Sequence, residues 1–259
     1  MPEIDRRAFV QAGASALFSL GIARPAVRLS ARPHLVCVFL RGGVDGLSMI
    51  VPYGDPLYYR ARPRTAIPAA TVIRLDEYFG LHPALAPLKP FCDDGRLTVI
   101  PAAGVPEVTR SHLDGQDRID AVLARRGAVA FGTLGAVARR IQSGRAPAVA
   151  VVNVGGWDTH VNQGSSEGQL ATRLRTLGHE IAFFVRGLRE RTPDVSVVTL
   201  SEFGRTVREN GNGGTDHGRA SAMLVLGDLL PARGGVWGGW PGLAGTDVAV
   251  TTDVRALLS

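Results

Sequence analysis

The sequence predicts an α/β protein built on a mostly parallel sheet flanked by helices. Three observations carry that prediction. Short unbroken apolar runs recur at 34–40 (HLVCVFL), 97–101 (LTVIP), 148–154, 194–200 and 220–226, the pattern of strands covered on both faces. Between them lie stretches of helical periodicity, clearest at 169–189, where Leu170, Leu174, Leu177, Ile181, Phe184, Val185 and Leu188 fall on one face. Finally, 259 residues with 45% hydrophobic and 20% charged content suffice for one large core and exclude wholesale disorder.

Residues 1–31 read as an address preceding the domain at 32–259. Arg6-Arg7-Ala8-Phe9 opens a basic segment, and a short Ala/Ser/Gly-rich apolar stretch follows, too weak to span a bilayer. The paired arginines resemble a twin-arginine export signal, which implies the twin-arginine translocation machinery as a partner and a periplasmic or secreted location. Loss of 1–31, with four arginines and two acids, takes the formal charge from +6 to +4. Lys89 is the only lysine, and the arginines are scattered among acids with no basic run interleaved with aromatics, so a nucleic-acid partner is not expected. Cys37 and Cys92 make neither a disulfide framework nor a thiolate metal site.

The first strand ends at Arg41-Gly42-Gly43, and Asp45 follows at the edge where open α/β sheets place their sites. Asp45 reads equally as a ligand and as the turn residue before Gly46. The Pro-, Tyr- and Arg-rich stretch 52–68 reads as an irregular cover with solvated arginines. A short helix is expected from Leu81 to Phe91, then the 97–101 strand. Ser111 stands where a helix N-cap belongs, before a pattern running through Ile119, Val122 and Leu123. The same hydroxyl is a candidate nucleophile, with His112 as candidate ligand or base.

A helix is expected at 131–141 and a third strand at 148–154. Beyond that strand lie Asp158 and His160, whose i, i+2 spacing on extended chain lets both reach one ion. After the 194–200 run come Glu202 and Arg205, then the Gly/Asn-rich turn and Gly214-Thr215-Asp216-His217-Gly218. Adjacent oxygen and nitrogen ligands on a loop suit a divalent metal, although an Asx-type turn is the plainer reading of that motif by itself.

Asp45, Asp158/His160 and Asp216/His217 each follow an apolar run, and parallel strands deliver their C-terminal ends to one edge. A mixed Asp/His set favours one or two transition-type ions such as Zn²⁺ or Mn²⁺ over Ca²⁺. Arg41, Arg110 and Arg205 are available to hold an oxyanion. Two such ions with a hydroxyl between them describe phosphoryl or sulfuryl transfer.

RRAFV at Arg6, FLRGGVDGLSMIVPY from Phe39, FGLHPALAPLK from Phe79, TRSHLDGQD from Thr109, GGWDTHVNQ from Gly155, SEFGRTVRENGNGGTDHG from Ser201 and TTDVR at Thr251 resemble the exported bacterial domain-of-unknown-function family 1501. That family is in turn distantly similar to the alkaline phosphatase and sulfatase superfamily. The resemblance implies a doubly wound, alkaline-phosphatase-like fold, in a chain short for the family, and a metal-dependent hydrolase of anionic phosphate or sulfate esters. Asp45 and Asp216-His217 would hold one ion, and Asp158 and His160 would contribute to a second at a tighter spacing than the superfamily's. Ser111 would attack, with Ser48 a weaker alternative; Glu202 would support the site or bind a further ion. No histidine follows His217, where the superfamily supplies one, so His112 or an oxygen ligand substitutes, or one ion suffices, or the site is degenerate. The competing expectation is therefore a catalytically degenerate exported binding or assembly protein, with Trp157, Trp237 and Trp240 as an exposed surface for a glycan or a periplasmic protein partner.

Overall fold

A strand whose residues are all apolar must be covered on both sides, and the 34–40 run meets that demand at the centre of a sheet. A computed structural model of the chain describes residues 34–107, 109–188, 195–227, 229 and 234–258. In chain order the elements are β1 (His34–Leu40), α1 (Gly46–Met49), β2 (Ile50–Val51), α2 (Pro56–Ala61), β3 (Ile73–Arg74), β4 (Gly80–Leu81), a 3-10 turn (Pro83–Leu88) and α3 (Lys89–Asp93). They continue with β5 (Leu97–Gly104), α4 (His112–Arg125), β6 (Val129–Phe131), α5 (Leu134–Gln142), β7 (Val149–Val154), α6 (Gln169–Leu188) and β8 (Val195–Leu200). The last are β9 (Arg205–Glu209), β10 (Thr215–His217), β11 (Ser221–Leu226), β12 (Gly235–Val236), β13 (Thr252–Asp253) and α7 (Val254–Leu258).

The main sheet has the order β12-β5-β11-β8-β1-β7-β6, with β13 also on β5. β1 pairs in parallel with β7 (Cys37 opposite Val151) and with β8 (Cys37 opposite Val198). Alternation then sorts the side chains. Val36, Val38, Leu40, Ala150, Val152 and Val197 pack with α5, α6 and the 3-10 turn. Leu35, Cys37, Phe39, Val149, Val151 and Val198 pack with α4 and α7 on the other face. The sheet is thus largely parallel with helices on both faces. Burial pushes the Cys37 thiol up to about 12, against a weaker pull from Arg126, so it stays a packed neutral group.

Four expectations need correction. The 220–226 run is a strand, but it lies antiparallel to both β5 and β8. It therefore starts, rather than ends, at the edge where its parallel neighbours finish. The 131–141 helix begins only at Leu134, because Phe131 closes β6, a short strand at the edge of the sheet. The 52–68 stretch is a cover, but not one with only solvated arginines. Arg62 is fully buried, with Tyr58 and Ile67, in a third apolar cluster. Trp157 is buried too, its indole Nε1 donating to Val154 O at 2.9 Å. Trp240 packs edge-on against Phe79, so the three tryptophans form no common exposed face.

The export segment 1–31 lies outside the described residues, as do Arg189 and Asp194 at the ends expected for α6 and β8. Residues 32–259 form one compact unit. Among the described residues no helix is long and apolar enough to cross a membrane.

Candidate metal centre

β1, β7 and β8 finish side by side, and the loops leaving them meet the N-terminus of α4 and the β9–β10 hairpin. Ser111 caps α4, accepting from Asp114 N at 3.4 Å, which puts His112 at the helix's first position. Gly115 lets this helix lie on Glu202, since a Cβ there would stand 3.0 Å from the Glu202 Cβ. The bond that results fixes a ring: His112 Nδ1 lies 2.8 Å from Glu202 Oε1.

Asp158 is the hub. Its Oδ1 lies 2.9 Å from His160 Nε2 and 3.1 Å from His217 Nε2, and its Oδ2 lies 3.5 Å from His112 Nε2. His160 Nε2 and His217 Nε2 are 3.0 Å apart. His112, Asp158 and His217 each offer a ligand atom within 4.8 Å of the others'. His160 touches two of the three. Ligands about 2.0–2.1 Å from a shared ion sit about 3–3.4 Å apart, the scale of these separations.

Each ring is held from behind by an acceptor. His112 Nδ1 faces Glu202, His160 Nδ1 faces Asp216 Oδ1 at 3.0 Å, and His217 Nδ1 faces the Arg110 carbonyl at 2.8 Å. An acceptor at Nδ1 requires the ring proton there, which leaves the Nε2 lone pair pointing into the cluster. Two such lone pairs 3.0 Å apart, beside a carboxylate oxygen, demand a proton or a cation between them. His112 Nε2 is also buried without a hydrogen-bond partner. The residues present therefore fit a divalent ion.

The charges agree. Partial burial alone would raise the Asp158 pKa, but the hydrogen bond and charge of Arg205, joined by His217 and His160 when their Nε2 atoms carry a proton, bring it to about 2. Burial likewise works against ionised Glu202, yet Gln116, His112 and the Gly42 amide hold its carboxyl below the usual range. Asp216 is lowered by Asn210 and His160.

The family described as "Protein of unknown function (DUF1501)" matches residues 106–259. The chain belongs to this family. No curated protein matches it. The matched stretch of the DUF1501 chain contains every residue of the cluster and its supports from Ser111 to His217, and excludes Arg41 and Asp45.

Those two take other parts. Asp45 is fully buried, and both its oxygens are taken: Arg62 Nη2 donates to Oδ1 at 3.0 Å, while Arg62 Nη1, Ser48 Oγ and Gln163 Nε2 donate to Oδ2 at 2.6, 2.8 and 2.7 Å. It is not brought into the cluster, and Ser48 is spent on it. Arg41 gives its donors to Asn153, Gln116 and Asp120. Gln116 passes a bond on to Glu202, so Arg41 steadies His112 at two removes. Arg205 is buried and donates to the carbonyls of Gly42, Gly43, Trp157 and Thr215 and to Asp158 Oδ1, the last at 2.6 Å. It clamps loops together from within the fold instead of facing an oxyanion.

Asp216 and His217 separate because successive residues on a strand point to opposite faces. His217 enters the cluster, while Asp216 holds His160 from outside. Sequence reasoning missed Arg62 and Gln163 altogether. Gln163 reaches Asp45 with its nitrogen and accepts from Thr159 and Thr215 with its oxygen, tying the cluster's loops to the buried pair beneath. Its signal was faint: Asn162 takes a left-handed φ of 49°, which asparagine tolerates, and so turns the chain inward just after His160.

Proposed function

We propose that this chain is an exported metal-dependent hydrolase of phosphate or sulfate esters, on an alkaline-phosphatase-like scaffold, that uses one divalent ion, Zn²⁺ or Mn²⁺. The observation that carries the reading is the convergence of the Nε2 atoms of His160 and His217 on Asp158, with the orphaned Nε2 of His112 beside them. His112, Asp158 and His217 would hold the ion, with His160 adjacent. When bound, it supplies Lewis acidity toward the ester's oxygens. Glu202, Asp216 and the Arg110 carbonyl keep each ring in the tautomer that presents Nε2. Ser111, exposed and next to His112, is the nucleophile in this reading; its oxygen accepts only a long cap bond and its proton is free to leave.

One observation favours the degenerate binding protein instead. Arg205 already donates to the Asp158 oxygen nearest two histidines, and a fixed cation there opposes a second one. Metal analysis of the purified protein separates the two: the hydrolase requires about one transition-metal equivalent per chain, in line with a single ligand group. Aryl phosphate and aryl sulfate turnover should disappear in His217→Ala and in Asp158→Ala. A metal-free protein with no ester turnover hands the site to the binding reading. Turnover unchanged in Ser111→Ala moves the attack from that hydroxyl to water.

A further inference from the structure

A cavity of about 620 Å³ opens between the end of β7 and the outer face of α6. Its wall includes Gly155 and Trp157, the latter directly preceding Asp158, together with Gln169, Thr172, Arg173 and Glu180. A volume of this size suits a small organic ligand.

Arg173 is the unusual member. Its guanidinium lies on Gly156, where an added Cβ would come within 2.3 Å of Nη1 and 2.4 Å of Cζ; Gly156 also has φ +89°, so only glycine serves there. Among the described residues no carboxylate or carbonyl accepts from that guanidinium. It contrasts with Arg41 and Arg205, whose donors are spent inside the protein, and with Arg110, which pairs with Asp247 at 2.6 Å. An uncommitted planar cation thus lies against Gly156, two residues before the hub carboxylate on the same loop.

Glu180 is the cavity's own carboxylate, and among the described residues it too has no partner. It stands two helical turns beyond Arg173, about 10 Å along α6. No ion pair joins the two charges, and both line the one chamber. Between them, Thr172 and Thr176 return their hydroxyl protons to the helix, to Gly168 O and Thr172 O, and so present acceptor lone pairs. Positive at the Gly156 loop, negative two turns along the helix, acceptors between: the complement is a molecule with an anionic end, a hydroxylated middle and an amino group.

We infer that this cavity binds the organic part of the substrate and selects amino-bearing anionic esters of the amino-sugar phosphate kind, with Arg173 on the anion and Glu180 on the ammonium. The inference rests on the hydrolase reading for the chemistry after binding, but the binding itself does not need the metal.

Calorimetric titration of the full chain in excess chelator tests it, with glucosamine 6-phosphate, glucose 6-phosphate and inorganic phosphate as probes. Glucosamine 6-phosphate should bind the wild type most tightly. Arg173→Gln should weaken both sugar phosphates by about tenfold or more, the scale of one charge-assisted pair, and Arg173→Lys should restore part of the loss. Glu180→Gln should weaken glucosamine 6-phosphate alone and bring it level with glucose 6-phosphate. Equal affinity in wild type and Arg173→Gln, or absence of binding at about 10 mM probe, overturns the inference. So does a Glu180→Gln variant that still prefers the amine. Because chelated protein is used, a failed hydrolase reading leaves these affinities where they are, and failed affinities leave metal content and aryl ester turnover where they are.

Discussion

Asp45 and Asp158 follow strands that are hydrogen-bonded neighbours, β1 and β7, and both leave the sheet at the same edge. Their fates differ because of what reaches each carboxylate first. Around Asp45 the protein supplies a full guanidinium, a hydroxyl and an amide, and seals the set away from water. Around Asp158 it supplies one N–H of Arg205 and then three imidazoles whose lone pairs point inward, and leaves the carboxylate 44% exposed. A strand-end carboxylate is open to a ligand's part only when the chain leaves its charge incompletely answered.

That contrast can be broken most forcefully at the sealed pair. Arg62→Met leaves Asp45 buried and unpaired, and should cost about 3–5 kcal/mol of folding stability in urea titrations. His112→Ala in the open cluster should cost about 1 kcal/mol or less in the absence of metal. Comparable losses at both positions would erase the distinction between a structural and a functional carboxylate.

Metal is the next lever. At a free ion concentration of about 100 Kd the loaded protein should gain about 2.7 kcal/mol, read as a rise in Tm that chelator reverses. The same addition should leave His217→Ala unmoved, and it should move Asp45→Asn as much as wild type, since Asp45 is no part of the ligand group. A further, smaller effect is expected from the supports: Glu202→Gln frees the His112 ring and should weaken metal binding by about 10–100-fold.

Acid titration should give the mildest signal. The Asp158 carboxyl sits at about 2 in the folded chain, below its ordinary 3.8. A depressed carboxylate stabilises the fold in full above the ordinary value, and that share is lost as pH falls from about 4 through about 2. Solvent screens a carboxylate this exposed, so Asp158→Asn should flatten the acid limb of a stability profile only slightly. Glu202 and Asp45 are shifted in the same sense and share that limb.

Much of the fold was readable because a strand covered on both faces has to be apolar throughout; β1, β7, β8 and β11 announced themselves in this way. β6 did not, since it sits at the sheet's edge with Val129 and Ala130 exposed and no such demand on its residues. The direction of β11 was also hidden, because an antiparallel strand in the middle of a sheet is as apolar as a parallel one. In the site, Asp158, His160 and His217 were visible as acid and histidine residues that follow apolar runs, and the structure brings them together with His112. Asp45 was misjudged for a long-range reason. Its partner Arg62 lies in a stretch whose composition looks solvated, and nothing local marks that one arginine among its neighbours as buried.

The excursion from β8 to β11 carries Glu202, Arg205, Asp216 and His217, and its two stems touch. Gly204 N donates to Arg219 O and Gly218 N donates to Gly204 O, each at 2.9 Å, and a Cβ on Gly204 would collide with Ala220 O. Because β11 runs back against β8, the segment leaves and rejoins the sheet at one point, like a purse drawn shut. Its far tip at Asn210–Gly213 is fastened as well: Asn162 N donates to Asn212 O at 3.0 Å, Gln163 N to Gly213 O at 2.9 Å, and Asn210 Nδ2 to His160 O at 2.9 Å. The excursion is thus pinned at both ends, and His217 between them is held in register from two sides, so lengthening the tip would slacken the very loops that bring the histidines together.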